Sequence, residues 1–170
     1  MRIIEVRDLQ VPLEGNISNA LVNFSTHTVS LVALVSDVVR GGRPVVGLGF
    51  NSIGRYAQGG ILRDRMIPRL LSAGPDSLLA PDGRSFNAEA VLRCVMANEK
   101  PGGHGDRAGA AGALELAVWD LNAKLADMPA HALIARHFGR EPAADGVPVY
   151  AAGGYYYPGQ KDRIRDELLG

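Results

Sequence analysis

A change of hydrophobic period near residue 61 constrains this chain more than any other feature. Before it, Thr28 to Val39 is β-branched and apolar, Gly41-Gly42 interrupts the run, and apolar residues resume from Pro44 to Phe50. Two such runs around a glycine pair specify a hairpin, because its tight turn needs backbone angles that side chains oppose. Ahead of it, Arg2 to Val11 sets Ile4, Val6 and Val11 among charges and ends at Pro12, the pattern of a half-buried strand. Three antiparallel strands follow from this half of the pattern. From Ile61 the spacing becomes helical: Ile61, Ile67, Leu70 and Leu71 alternate with Arg63, Asp64, Arg65 and Arg69 until Gly74-Pro75 closes the helix.

A second helix is expected from Asn87, as N-cap, to about Glu99. A third starts near Asp106 and carries Ala110, Ala113, Leu114, Ala117, Val118 and Leu121 at spacings of three and four. Small residues in that stripe allow close packing. Met128-Pro129 breaks the helix, Ala130 to Phe138 reads as a fourth, and Gly139 stops it. Val147 to Gly154 then reads as a buried strand and Asp162 to Leu169 as a helix. A strand leading into a helix is the start of a βα series, which needs further βα units to pair with, so the chain is expected to be the N-terminal part of something longer.

Composition narrows the function classes. Eighteen Lys+Arg balance eighteen Asp+Glu, so no overall field recruits nucleic acid or an anionic membrane. No apolar run approaches the roughly 20 residues of a membrane span, and Met-Arg-Ile-Ile-Glu-Val lacks the apolar stretch of a signal peptide. A soluble, cytoplasmic protein is expected. Cys94 is the single cysteine, which rules out an internal disulfide and suits a small apolar packing residue. Gly47, Gly49 and Gly54 miss the Gly-x-Gly-x-x-Gly spacing of a dinucleotide site, and no Gly-x-Ser-x-Gly elbow occurs. Only Lys100, Lys124 and Lys161 are lysines, so no Lys-x-Lys pair exists.

The run Ala113-Leu114-Glu115-Leu116-Ala117-Val118-Trp119-Asp120-Leu121-Asn122-Ala123-Lys124 resembles the mandelate racemase and muconate lactonizing branch of the enolase superfamily. Three loops carry a narrower resemblance, to the D-tartrate dehydratase group: Gly49-Phe50-Asn51-Ser52 with Gly54-Arg55-Tyr56, Asn98-Glu99-Lys100-Pro101-Gly102-Gly103-His104-Gly105, and Tyr150-Ala151-Ala152-Gly153-Gly154-Tyr155-Tyr156-Tyr157-Pro158-Gly159. The resemblance implies an α+β fold. Residues 1–140 would form an enolase-type N-terminal capping domain, a three-stranded antiparallel sheet with a helical bundle, and 141–170 would begin a (β/α) TIM-like barrel.

The resemblance further implies a hydro-lyase that uses Mg²⁺, removes the proton next to a carboxylate and expels the β-hydroxide. The base pair, the metal ligands and the His-Asp dyad of the family lie on later barrel strands, so no catalytic or metal-ligating residue is assigned in this chain, and the chain alone is expected to be inactive. Three substrate contacts are assigned: Asn19 in the first loop, Lys100 in the Lys-Pro-Gly-Gly loop, and Tyr155 beyond the first barrel strand. Their chemistry suits a small hydroxy-dicarboxylate, which needs a cation, an amide that both donates and accepts, and an uncharged phenol. The intact protein is expected to be a homo-oligomer. Ile53 stands where a further asparagine is expected, which keeps open a racemase or a dehydratase of another sugar acid. The residues alone also admit a solvated Lys100, a turn-forming Asn19, an aromatic packing patch at Tyr155 to Tyr157, an inert loop His104, and a non-catalytic cap that serves through its surface. Asp120 and Lys124, four apart on one helix, read as an exposed ion pair and not a catalytic dyad.

Overall fold

Gly41 and Gly42 adopt φ values of 55° and 75°, which is why this turn takes glycine twice. They join β2 (Thr28–Arg40) to β3 (Arg43–Phe50), while β1 (Ile3–Pro12) pairs with the other edge of β2, so the antiparallel order is β1-β2-β3. Pro12 lies opposite Thr28 and Leu31 opposite Phe50. The end of β1, the start of β2 and the end of β3 therefore meet at one end of the sheet. In the computed structural model, residues 1–15, 18, 21–51, 56–100, 105–142, 146–150, 159 and 161–169 are described.

Alternation along β2 sends Val32 and Leu34 into the core and Leu31 outward, where it lines up with exposed Leu9 and Phe50 across the strands. The buried face is covered chiefly by one long helix, Gly105–Leu125. The expected helix from Ile61 is divided: α1 (Gly59–Ile61), a π segment (Leu62–Met66) and α2 (Ile67–Ser72). Pro68 explains the division. It has no N–H for the carbonyl one ordinary turn back, and just before it the Ile67 N–H reaches Leu62 O, five residues away.

Asn87 caps α3 (Ala88–Val95) as expected, its Oδ1 accepting from the Ala90 N–H at 3.0 Å. The helix stops at Val95, short of the expected Glu99, and Asn98 turns the chain at φ 58°. α4 (Gly105–Leu125), α5 (Ala130–His137) and α6 (Lys161–Leu169) follow. α4 lies backbone to backbone against β3. A Cβ on Gly47 would strike Ala117 O and Leu121, and one on Gly49 would strike Ala113 O and the Ala117 N–H. The stripe of small residues is this contact, and Leu62, Met66, Leu70, Val91, Val95, Leu114, Val118 and Leu121 fill the core around it.

The expected buried strand from Val147 to Gly154 is not formed over its described part. Val147, Val149 and Tyr150 make no strand pairing and are 71%, 86% and 91% exposed. A parallel barrel strand takes both its ladder and its burial from neighbouring βα units, and none stands among the described residues. The remainder, 151–154, lies outside the described residues. Among the described residues no helix is long and apolar enough to cross a membrane.

Candidate functional site

β3 and α4 run in opposite directions: Gly47 meets Ala117 and Leu121, whereas Gly49, further along the strand, meets Ala113 and Ala117. The N-terminus of α4 consequently stands at the same end of the sheet as the close of β3. Three segments are rooted there, between β1 and β2, between β3 and α1, and between α3 and α4. They are the ones holding Asn19, Ile53 and Lys100.

A buried amide network fixes the second root. Asn51 is 3% exposed; its Oδ1 accepts from the Ser30 N–H and its Nδ2 donates to Gln58 Oε1 at 2.6 Å. Gln58, 4% exposed, donates from Nε2 to Tyr56 O, and its backbone N–H reaches Ser30 Oγ at 3.1 Å. Thr28 Oγ1 accepts from the Ala57 N–H at 3.0 Å. Both sides of the loop are thus tied to the start of β2. The Gln58 amide also covers Gly109, where a Cβ would come within 3.2 Å of Oε1, so this root touches the second turn of α4.

The first root is closed by the Leu13 N–H donating to His27 O at 2.9 Å, opposite the last pairs of β1 and β2. The buried His27 ring lies 4.7 Å from Tyr56 and 5.3 Å from Phe24 between centroids, stacking the first root on the second. Among the described residues its Nδ1 has no hydrogen-bond partner.

Glu99 forms the third root. Its side chain is 7% exposed, with Arg69 Nη1 2.8 Å from Oε1 and Arg65 and Arg107 each 3.4 Å from Oε2. The Arg69 hydrogen bond, aided by the charges of Arg65 and Arg69 and the bond from Arg107, holds the Glu99 carboxyl below the ordinary glutamate range. That stabilisation is present above about pH 4.3, the ordinary glutamate value, and is lost as pH falls through the lower folded value. Arg69 also donates to Val95 O at 2.8 Å, and Arg107 to Lys100 O at 2.6 Å. Lys100 itself is exposed. Asn19, Ile53, His104 and Tyr155 lie outside the described residues, so of the three assigned contacts only Lys100 is placed.

Asn51, Gln58, His27, Glu99 and Arg107 were not singled out from the sequence. Asn51 and Glu99 stand inside the quoted loops, yet nothing local distinguishes a root from a solvated polar residue. Asp120 and Lys124 do pair, at 2.6 Å, at the opposite end of α4. Cys94 is half-buried against the core and donates to Arg69 O. A hollow of about 500 Å³ beside Ile3, Leu70 and Phe86, and one of about 490 Å³ beside Trp119 and His137, are lined by none of the root residues. Among the described residues no three His, Cys, Asp or Glu side chains gather where a metal ion could sit.

No model of a known protein family matches the chain. Among solved structures it is similar to a mandelate racemase/muconate lactonizing enzyme-like protein from Rubrobacter xylanophilus, at 21% identity and a TM-score of 0.54. The likeness covers 99% of this chain and 41% of that one. The fold is that of such a protein's N-terminal cap. Among the described residues no barrel is visible.

Proposed function

We propose that this chain is the cap of a Mg²⁺-dependent, enolase-superfamily dehydratase acting on a hydroxy-dicarboxylate of the tartrate type. One observation carries the reading: the segments that hold Asn19, Ile53 and Lys100 are all rooted at one end of a cap-like fold. Charge supports it. Arg65, Arg69 and Arg107 surround Glu99 beside the exposed Lys100, so the arginines outnumber the carboxylate they hold, while the exposed Asp64 and Asp106 are sequence neighbours of Arg65 and Arg107. A dianion is the natural ligand of such a corner.

In this reading Lys100 grips the carboxylate remote from the reacting carbon, while Asn19 and Tyr155 bond the hydroxyls. Among the described residues no carboxylate or imidazole cluster fits a metal ion, and in this reading the ion and the proton-transferring groups are held elsewhere in the protein. What the cap supplies is orientation and exclusion of water from the loops' side.

The intact protein, supplied with Mg²⁺, is expected to convert a hydroxy-dicarboxylate to its keto acid. Lys100→Met should lower kcat/KM for the diacid by about ten- to a hundredfold, the loss of one charge-assisted bond, and leave a monoacid analogue nearly unaffected. Steady-state kinetics across tartrate stereoisomers and other sugar acids check this. Equal losses for diacid and monoacid would remove Lys100 from the substrate, and isomer interconversion without keto acid would make the protein a racemase.

A further inference from the structure

Four side chains converge where α3 ends, and the packing does not require them. Leu70, Val91, Val95, Ala110 and Leu114 already bury α2, α3 and α4 against one another. What the polar groups add is control over Lys100. On its N-terminal side the neighbouring Glu99 carboxylate is held by Arg69 at 2.8 Å. On its C-terminal side the Lys100 carbonyl accepts from Arg107 Nη1 at 2.6 Å, and the same nitrogen faces Glu99 Oε2 at 3.4 Å. The Lys100 carbonyl is therefore tied directly to α4, and the residue before Lys100 is tied through its side chain to α2 and α4.

We propose that Glu99 and Arg107 are positioning residues that aim the Lys100 side chain and so set how tightly this site holds a dicarboxylate. A lysine on an untethered loop would lose much of a charge-assisted bond to the ordering of its own backbone and four-carbon stem. Anchoring the backbone in advance leaves only the stem to order. Arg107 can do this because its planar fork reaches a carbonyl and a carboxylate together, which a lysine's point charge does not reproduce. Glu99 holds the fork in place. Without its charge, Arg65, Arg69 and Arg107 would repel one another and Arg107 would leave the Lys100 carbonyl.

The inference rests on Lys100 as the carboxylate contact, and its test separates the two ideas. In the intact protein, amine acylation of Lys100 is followed by mass spectrometry with Lys124 and Lys161 as internal references, without and with tartrate. Variants are Glu99→Gln, Arg107→Met and Arg107→Lys, with Arg93→Met, from the exposed α3 pair with Glu89, as control. Without tartrate, Glu99→Gln and both Arg107 variants should change the Lys100 rate severalfold relative to the references while Arg93→Met does not. With tartrate, the concentration that protects Lys100 should rise roughly tenfold in Arg107→Met, the order of loss from a misplaced contact. Arg107→Lys should rescue the melting temperature and not the protection. An unchanged Lys100 rate in all three variants overturns the positioning role, as does full rescue by Arg107→Lys. Should tartrate fail to protect Lys100 in the unsubstituted protein, the substrate reading falls and the tartrate-free rates alone decide the positioning role.

Discussion

At the C-terminal end of α4 polar side chains close the fold upon itself, whereas at its N-terminal end they hold the roots of long loops. Arg40 donates to the carbonyls of Lys124, at 2.7 Å, and Leu125, groups that the end of a helix leaves without partners. Asp120 accepts the Leu48 N–H at 2.7 Å and Lys124 donates to Val46 O at 2.9 Å, so the free edge of β3 is occupied by side chains. The strands there are joined by two glycines. At the other end Asn51, Gln58 and Arg107 bond backbone at Ser30, Tyr56 and Lys100, where chain leaves the core. The difference separates what a cap needs in order to fold from what it needs in order to present side chains on loops.

The closing end breaks most severely at Gly47. A methyl group there would strike Ala117 O and the Leu121 backbone and side chain, and a helix backbone packed on both sides cannot retreat. Gly47→Ala should cost about 3 kcal/mol, the upper range of core overpacking, and Gly47→Val more. Gly60→Ala is the counterpart at the loop end. Its Cβ would meet nothing within 4 Å on a helical residue, so stability should hold or rise by up to about 1 kcal/mol. Urea denaturation with unchanged m values checks both, and equal stabilities for Gly47→Ala and Gly60→Ala would refute the backbone contact.

The loop end breaks at Asn51. Asn51→Ala removes the acceptor of a buried N–H and the donor to Gln58, and should cost about 1–3 kcal/mol. Its signature is local. Amide exchange at Ala57 and Gln58 should accelerate more than at Leu34 or Val118, which exchange with global opening. A stability loss spread evenly over all four amides would make Asn51 ordinary core and not a root.

How much of this was legible in the sequence follows the range of the interactions. Gly41-Gly42, the Asn87 cap and the three-and-four spacing of α4 are patterns written within a turn or two of sequence, and the structure matches them. In the sequence Gly47 and Gly49 show only as glycines that miss a dinucleotide motif, and nothing local links them to the stripe they pack against. Pro68 stands inside the run expected to be one helix, an expectation that passed over it, and it divides that helix. Glu99 was not readable as a hub, because Arg69 lies 30 residues away and the helix expected to reach Glu99 ends at Val95. The Val147 run shows the opposite error, since β-branched composition supplies propensity without a partner strand. Lys100 stands exposed at the start of its loop, and its role as a substrate contact rests on the resemblance. Asn19 and Tyr155, outside the described residues, rest on resemblance alone.

The smallest effect tests whether Asp120 and Lys124 are only an ion pair. Their side chains are 32% and 43% exposed, and an exposed pair four residues apart contributes about 0.3–0.5 kcal/mol, less in high salt. A double-mutant cycle of Asp120→Ala and Lys124→Met should return that coupling in low salt and less of it at 1 M, the concentration being roughly where screening reaches 3 Å. Edge capping predicts something the ion pair does not. Asp120→Asn keeps an oxygen for the Leu48 N–H and should fall short of Asp120→Ala by a few tenths of a kcal/mol in its effect, at any salt concentration, because a neutral acceptor is unscreened. It should also remain monodisperse where Asp120→Ala, with an N–H of β3 released, gains a tendency to pair edge to edge. Light scattering and salt-series denaturation distinguish the cases: identical behaviour of the Asn and Ala variants would reduce Asp120 to half of a surface ion pair and leave the closing end to Gly47, Gly49 and Arg40.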